Sequence, residues 1–200
     1  RQLAVSRAVW YKRKQYDALK LWLAETNWQV FGTLMFTDGR AISLRKSEKL
    51  VCNYFNKLDR AYYGNAVTNV GMRHNRVVFK QMGTSGTNVH YHFLAKPHTD
   101  PGLFADLARK QWANMGTWTM GFADTDIAAV RSNQGASNYM LHEYKKLGAD
   151  CLFLQASALN APKYSPLKYR NIRQMRRLLA IQSLSTKEIE YDDEDAFSIT

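Results

Sequence analysis

The stretch Asn88-Val89-His90-Tyr91-His92-Phe93-Leu94 sets the frame in which the remaining residues are read. Side chains alternate between the two faces of an extended strand, so His90 and His92 share one face. Val89, Tyr91 and Phe93 share the other and point toward an apolar core. Two imidazoles about 7 Å apart along such a strand can converge on one divalent ion or one phosphate. The triplet is also compatible with two histidines that are merely exposed or hydrogen-bonded. What separates these readings is the surrounding chain, with a polar residue upstream and a tyrosine-bearing helix downstream.

Asn75–Met82 (NRVVFKQM) reads as the strand before it, joined by the turn Gly83-Thr84-Ser85-Gly86 to Asn88–Ala95 in a hairpin. Pro97 stops the hairpin, Asp100 is an N-cap with Pro101 at the first helical position, and Phe104, Leu107 and Trp112 mark the helix. Toward the N-terminus, Trp28–Thr37 (WQVFGTLMFT) is β-rich and ends at the turn Asp38-Gly39. Between Ser43 and Tyr63, the residues Leu50, Val51, Tyr54, Phe55, Leu58 and Tyr62 recur at helical spacing, opposite Arg45, Lys46, Lys49, Lys57 and Arg60. A helix is expected over Tyr16–Thr26, a fourth strand over Asp124–Arg131, and a helix over Gly135–Lys146 that stops at Gly148. A last helix is expected over Leu167–Gln182, dense in Lys168, Arg170, Arg173, Arg176 and Arg177. This order predicts an α+β sandwich of the ferredoxin or RNA-recognition type. Its antiparallel sheet carries helices on one face and the tyrosine-bearing helix near the open face. The fold by itself settles no function.

The 200 residues suit one domain with a full core, expected over 1–186, followed by an acidic mobile tail over 187–200. Formal net charge is +11, yet Lys187–Asp195 holds six acids and one lysine, so the chain up to Thr186 carries 27 basic and 11 acidic residues, a net of +16. A body that basic, with five Trp, eleven Tyr and nine Phe, suits a polyanion with stackable bases. Arg13 and Lys14 in the N-terminal segment, with Lys168, Arg173 and Arg176 near the C-terminus, are the expected phosphate contacts. No apolar run approaches the ~20 residues that span a bilayer, and the opening residues are not a signal peptide. Cys52 and Cys151 lie in no metal-ligand spacing and fit a reducing cytosol.

At about 100° per residue, Tyr139, His142, Glu143 and Lys146 share one face of the Gly135–Lys146 helix. Met140, Leu141, Tyr144 and Leu147 share the apolar one. Tyr144 lies about 140° from Tyr139 and belongs with the core. A tyrosine in such a helix is also compatible with plain amphipathic packing.

The strand ending FGTLMF, the triplet His90-Tyr91-His92 and the pattern Tyr139-x-x-His142 together resemble the three motifs of HUH endonucleases. Their order and spacing are similar to those of the rolling-circle replication initiators (Rep proteins) of plasmids, phages and single-stranded DNA viruses, and the likeness spans residues 28–146. The resemblance implies that His90, His92 and a third polar side chain hold Mn²⁺ or Mg²⁺. Gln81, nine residues before His90 on the partner strand, stands where the family often has an acid, with Asp126 and Glu143 as alternatives. It implies Tyr139 as nucleophile on single-stranded DNA at a replication origin. His142 stands where the family usually has lysine, and Lys146 is a second candidate for that cation. A helicase and polymerase would be supplied separately, since no G-x-x-x-x-G-K-[ST] loop is present. The expected location is the host cytoplasm, or the nucleus for a eukaryotic virus. The rival readings are a non-catalytic single-strand DNA- or RNA-binding module, a transposase or relaxase of the same superfamily, and a structural zinc protein, for which ligands at suitable spacing are too few.

Overall fold

A computed structural model describes residues 2–69 and 71–159. In chain order the elements are α1 (Gln2–Glu25), β1 (Val30–Leu34), α2 (Leu44–Tyr63), α3 (Ala66–Asn69), β2 (Asn75–Gln81), β3 (His90–Lys96), α4 (Pro101–Ala113), β4 (Ile127–Ala129), α5 (Asn133–Met140) and α6 (Tyr144–Leu147), then a 3-10 turn, Gly148–Cys151. The four strands form one sheet in the order β2-β3-β1-β4, and all three pairings are antiparallel. This is the α+β, ferredoxin-like sandwich that the element order predicts. The expected helix over Leu167–Gln182, with Lys168, Arg173 and Arg176, and the acidic tail lie outside the described residues. No described helix is long and apolar enough to cross a membrane.

Strand alternation builds two cores. Tyr91, Phe93 and Ala95 of β3, Val30 and Leu34 of β1, and Val78 of β2 pack against Val51, Tyr54, Phe55 and Leu58 of α2 and Phe104, Ala108 and Trp112 of α4. On the other face Leu94, Val77 and Phe79 meet Leu23 of α1, Met140 of α5 and Tyr144 of α6. The second face is therefore partly covered, by α1 as well as by the tyrosine-bearing helix. The helix starts obey their local signals: Ser43 accepts from the Lys46 N–H and Asp100 from the Leu103 N–H.

Four elements differ from expectation. Helix α1 starts at Gln2, well before Tyr16; the expectation missed this part because Val9, Trp10 and Tyr11 are exposed and mark no buried stripe. The strands β1 and β4 are shorter than their β-rich segments. The helix expected over Gly135–Lys146 is interrupted at residues 141–143, for reasons that belong to the site.

A buried ion pair ties the far end of β2 to α2. Arg76 donates to both Asp59 carboxylate oxygens at 3.0 Å, and the His74 N–H donates to the same group at 3.1 Å. Cys52 is half-buried and Cys151 buried, and both are free thiols.

Gly32, at the centre of β1, pairs with Phe93 of β3. A Cβ built there would overlap the Phe93 ring and touch the Ile127 side chain at 3.0 Å. Gly32→Ala is expected to cost about 1–3 kcal/mol through overpacking, read as a lower urea midpoint. Adding Phe93→Leu should recover part of it. Additive losses in the double variant would show that the ring is not the obstacle.

Candidate active site

The register of the hairpin puts Gln81 opposite His90, and the β1–β3 register puts Thr33 opposite His92. All four share the sheet face that α5 covers. His90, half-buried, turns Nδ1 to the Asn88 carbonyl at 2.9 Å. A carbonyl only accepts, so Nδ1 carries a proton, and Nε2 makes no hydrogen bond to a described residue. His92, fully buried, has Nδ1 3.0 Å from Thr33 Oγ1, while its Nε2 has no hydrogen-bond partner among the described residues. Burial first, then the neighbouring His90 and His142, push His92 down to about 3, so the ring is neutral. Gln81, also fully buried, donates Nε2–H to the Met140 carbonyl at 3.1 Å, and its Oε1 is left without a partner. The site thus offers two imidazole nitrogens and one amide oxygen. Each histidine is oriented through its other nitrogen, as metal-ligating histidines are.

The tyrosine stands over this group. Tyr139 is 52% exposed, and its ring centroid lies 4.9 Å from that of His92, 5.2 Å from His142 and 5.5 Å from Phe31. The rings of His90 and His92 are 4.9 Å apart, and Phe31 stacks on His92 at 5.7 Å. Tyr139, His142, His90, His92 and Gln81 are therefore gathered from β2, β3, α5 and the break after it.

That break has a physical cause. In a continuous helix the Tyr139 carbonyl would accept from the Glu143 N–H. Here it accepts from the His142 N–H at 3.3 Å and from the His142 ring Nδ1 at 2.7 Å. The Met140 carbonyl is held by Gln81. Glu143 turns inward, where its Oε2 accepts the Met82 N–H at 2.8 Å and its Oε1 lies 3.6 Å from His142 Nε2. Glu143 is thus buried rather than on an open face with Tyr139, which corrects the single-helix expectation. Lys146 lies beyond the break, exposed, and lines a cavity between α1 and α6. Tyr144 is core, packed on Tyr16 at 5.5 Å. Asp126 is exposed before β4, its carbonyl accepting from the Thr33 N–H. Arg13 and Lys14 are exposed on α1, with Lys14 Nζ 5.6 Å from the centre of the Trp10 ring.

Sequence reasoning did not single out Phe31 and Thr33. Their alternation within FGTLMF puts them on one face, but only the β1–β3 register brings that face to His92. Comparison of the chain with protein-family models, curated proteins and solved structures gives no match.

The donor set fits a divalent ion. Two imidazoles suit a borderline transition ion and the amide oxygen a hard one, a mixture that favours Mn²⁺ over Mg²⁺. Among the described residues no group of three or more His, Cys, Asp or Glu is placed to hold a metal, and a set built on His90 and His92 would take the Gln81 amide oxygen as its third donor. A Mn²⁺ concentration about 100 times the dissociation constant should stabilise the protein by ~2.7 kcal/mol. Gln81→Leu should remove that thermal shift and Gln81→Glu enlarge it. A full Mn²⁺ shift in Gln81→Leu would exclude Gln81 as a ligand.

The low value for His92 has a second consequence. Between its ordinary pKa near 6.5 and about 3, the unfolded chain binds a proton that the folded protein refuses. Stability from this group is complete above about 6.5 and falls as pH drops toward 3. His74, also lowered by burial, adds to the same slope. Urea midpoints measured across this range should therefore fall with pH, and His92→Leu should flatten the fall in part. An unaltered slope would mean that His92 is protonated in the folded protein.

Proposed function

We propose that this chain nicks and rejoins single-stranded DNA at a specific site by metal-dependent transesterification, and so initiates rolling-circle replication. The observation that carries the proposal is the exposed Tyr139 ring packed 4.9 Å from His92, whose ring lies 4.9 Å from His90, on the sheet face that also carries the orphaned Gln81 oxygen. A divalent ion held by these three residues would offset negative charge on a nonbridging oxygen of the scissile phosphate.

The chain's own residues supply the rest. The Tyr139 hydroxyl attacks phosphorus, and a bond forms between its Oη and the 5′-phosphate. The bond to the 3′-oxygen of the preceding nucleotide breaks, and that oxygen leaves as a free 3′-OH that can prime synthesis. Phenolate, with a reference pKa near 10, is both nucleophile and tolerable leaving group, so attack by a 3′-OH reverses the step and joins strands. His142, when protonated, pairs with Glu143 and places positive charge beside the tyrosine, the role that lysine has in the family this chain resembles. Gln81 fixes the end of α5, and with it the height of Tyr139 above the histidines. Exposed cations on α1 supply salt-sensitive affinity for the strand. A second reading, a non-catalytic single-strand-binding module, draws support from Phe31, an aromatic ring on a central strand beside Tyr139.

Incubation with a random single-stranded DNA pool and Mn²⁺ should yield an SDS-resistant protein–DNA adduct on a denaturing gel. Tyr139→Phe and EDTA should each abolish it. Binding without adduct at every divalent ion tried would favour the non-catalytic module. An adduct that survives Tyr139→Phe would assign the nucleophile elsewhere.

A further inference from the structure

A second feature lies on the same side of the sheet as Tyr139. Between α1 and α6 is a cavity of about 640 Å³, within the roughly 300–1,000 Å³ of small-molecule sites. Its walls carry Lys12 and Arg13 from α1, and Lys145 and Lys146 from α6, against one acid, Asp17. All four cations are exposed, and none is ion-paired with a described residue. Four unpaired like charges around one concavity repel each other, and the arrangement is stabilised by an anion. The cavity also has an aromatic wall, the half-buried Tyr16, held in place by Tyr144 behind it.

The bland account of Lys145 and Lys146 is that they complement the carboxyl end of a helix. It does not extend to Lys12 and Arg13, which lie mid-way along α1 and face the same space. A cationic rim around a tyrosine ring matches a nucleotide unit, with phosphate on the rim and base on the ring.

We infer that the α1–α6 cavity is a subsite for one nucleotide of a bound single strand, separate from the tyrosine–histidine group. The inference rests on the proposal that the chain works on single-stranded DNA, and it assigns the path of that strand beyond Tyr139. The subsite binds through phosphate and stacking, so it is indifferent to base sequence. Its cations contribute to affinity and take no part in phosphoryl transfer.

The test is binding of labelled oligothymidylate in EDTA, which separates affinity from adduct chemistry. Each phosphate neutralised on a single strand contributes about 0.7 to the slope of log affinity against log salt. Lys12→Gln/Lys145→Gln should therefore make that slope shallower by about 1.4 and weaken binding ~10-fold at low salt. Lys12→Arg/Lys145→Arg should keep the wild-type slope. Thermal midpoints of both variants should match the parent, since both positions are exposed. A wild-type slope in the glutamine variant overturns the subsite. So does a loss of inorganic phosphate binding with an unchanged oligonucleotide slope, which would assign the cavity to a free anion. The two proposals fail separately. Absence of any Tyr139-dependent adduct ends the nicking proposal and leaves this measurement standing, whereas an unchanged slope beside an intact adduct ends the subsite alone.

Discussion

One buried amide organises the site. A helix leaves its last carbonyls without partners, and a side chain that supplies a donor there fixes where the helix stops. Gln81 supplies it to Met140 from the last position of the edge strand β2, and the His142 ring supplies another to Tyr139. The consequence is twofold. Helix α5 ends with Tyr139 against His92, and the glutamine, having committed its donor, is left with an unpartnered oxygen on the strand position opposite His90. A buried acceptor left unmade costs about 1–3 kcal/mol. On the proposed function, that cost is offset when an ion takes the electron pair together with those of the two histidines.

The sheet was legible because its signals are local. Alternation through residues 88–94, a glycine-rich turn of the length that closes a hairpin, and the capping residue Asp100 each act within a few residues. They specify the strand faces and the start of α4, and with them the pairing of Gln81 with His90. The break at residues 141–143 was not legible. Apolar and polar positions keep helical phase straight through it, and what interrupts the helix comes from a distant strand, through Gln81 and the Met82 N–H. Phase arithmetic therefore put Glu143 and Lys146 beside Tyr139, where the structure buries the first and moves the second to another cavity. Tyr144 was assigned correctly to the core because burial of α6 preserves its apolar side despite the break. The Asp59–Arg76 pair was equally invisible, since neither residue announces its partner in sequence.

Glu143 shows how the site manages charge. Its carboxylate is the nearest acid in sequence to Tyr139, yet it is engaged by the Met82 N–H and sits behind His142. None of the three candidate ligands is a carboxylate, and His92 is held neutral by burial. On the proposed function, an ion among them retains its full double charge in a poorly solvated place, where an isolated charge is unfavourable. The phosphate of the strand is then the counterion. Ion and DNA must bind cooperatively, and because such coupling is reciprocal, each raises the affinity for the other by the same factor. A carboxylate at position 81 would tighten the ion alone and reduce what the phosphate adds. On the proposed function, a glutamine there makes an ion site that is weak without DNA and complete only with the strand in place.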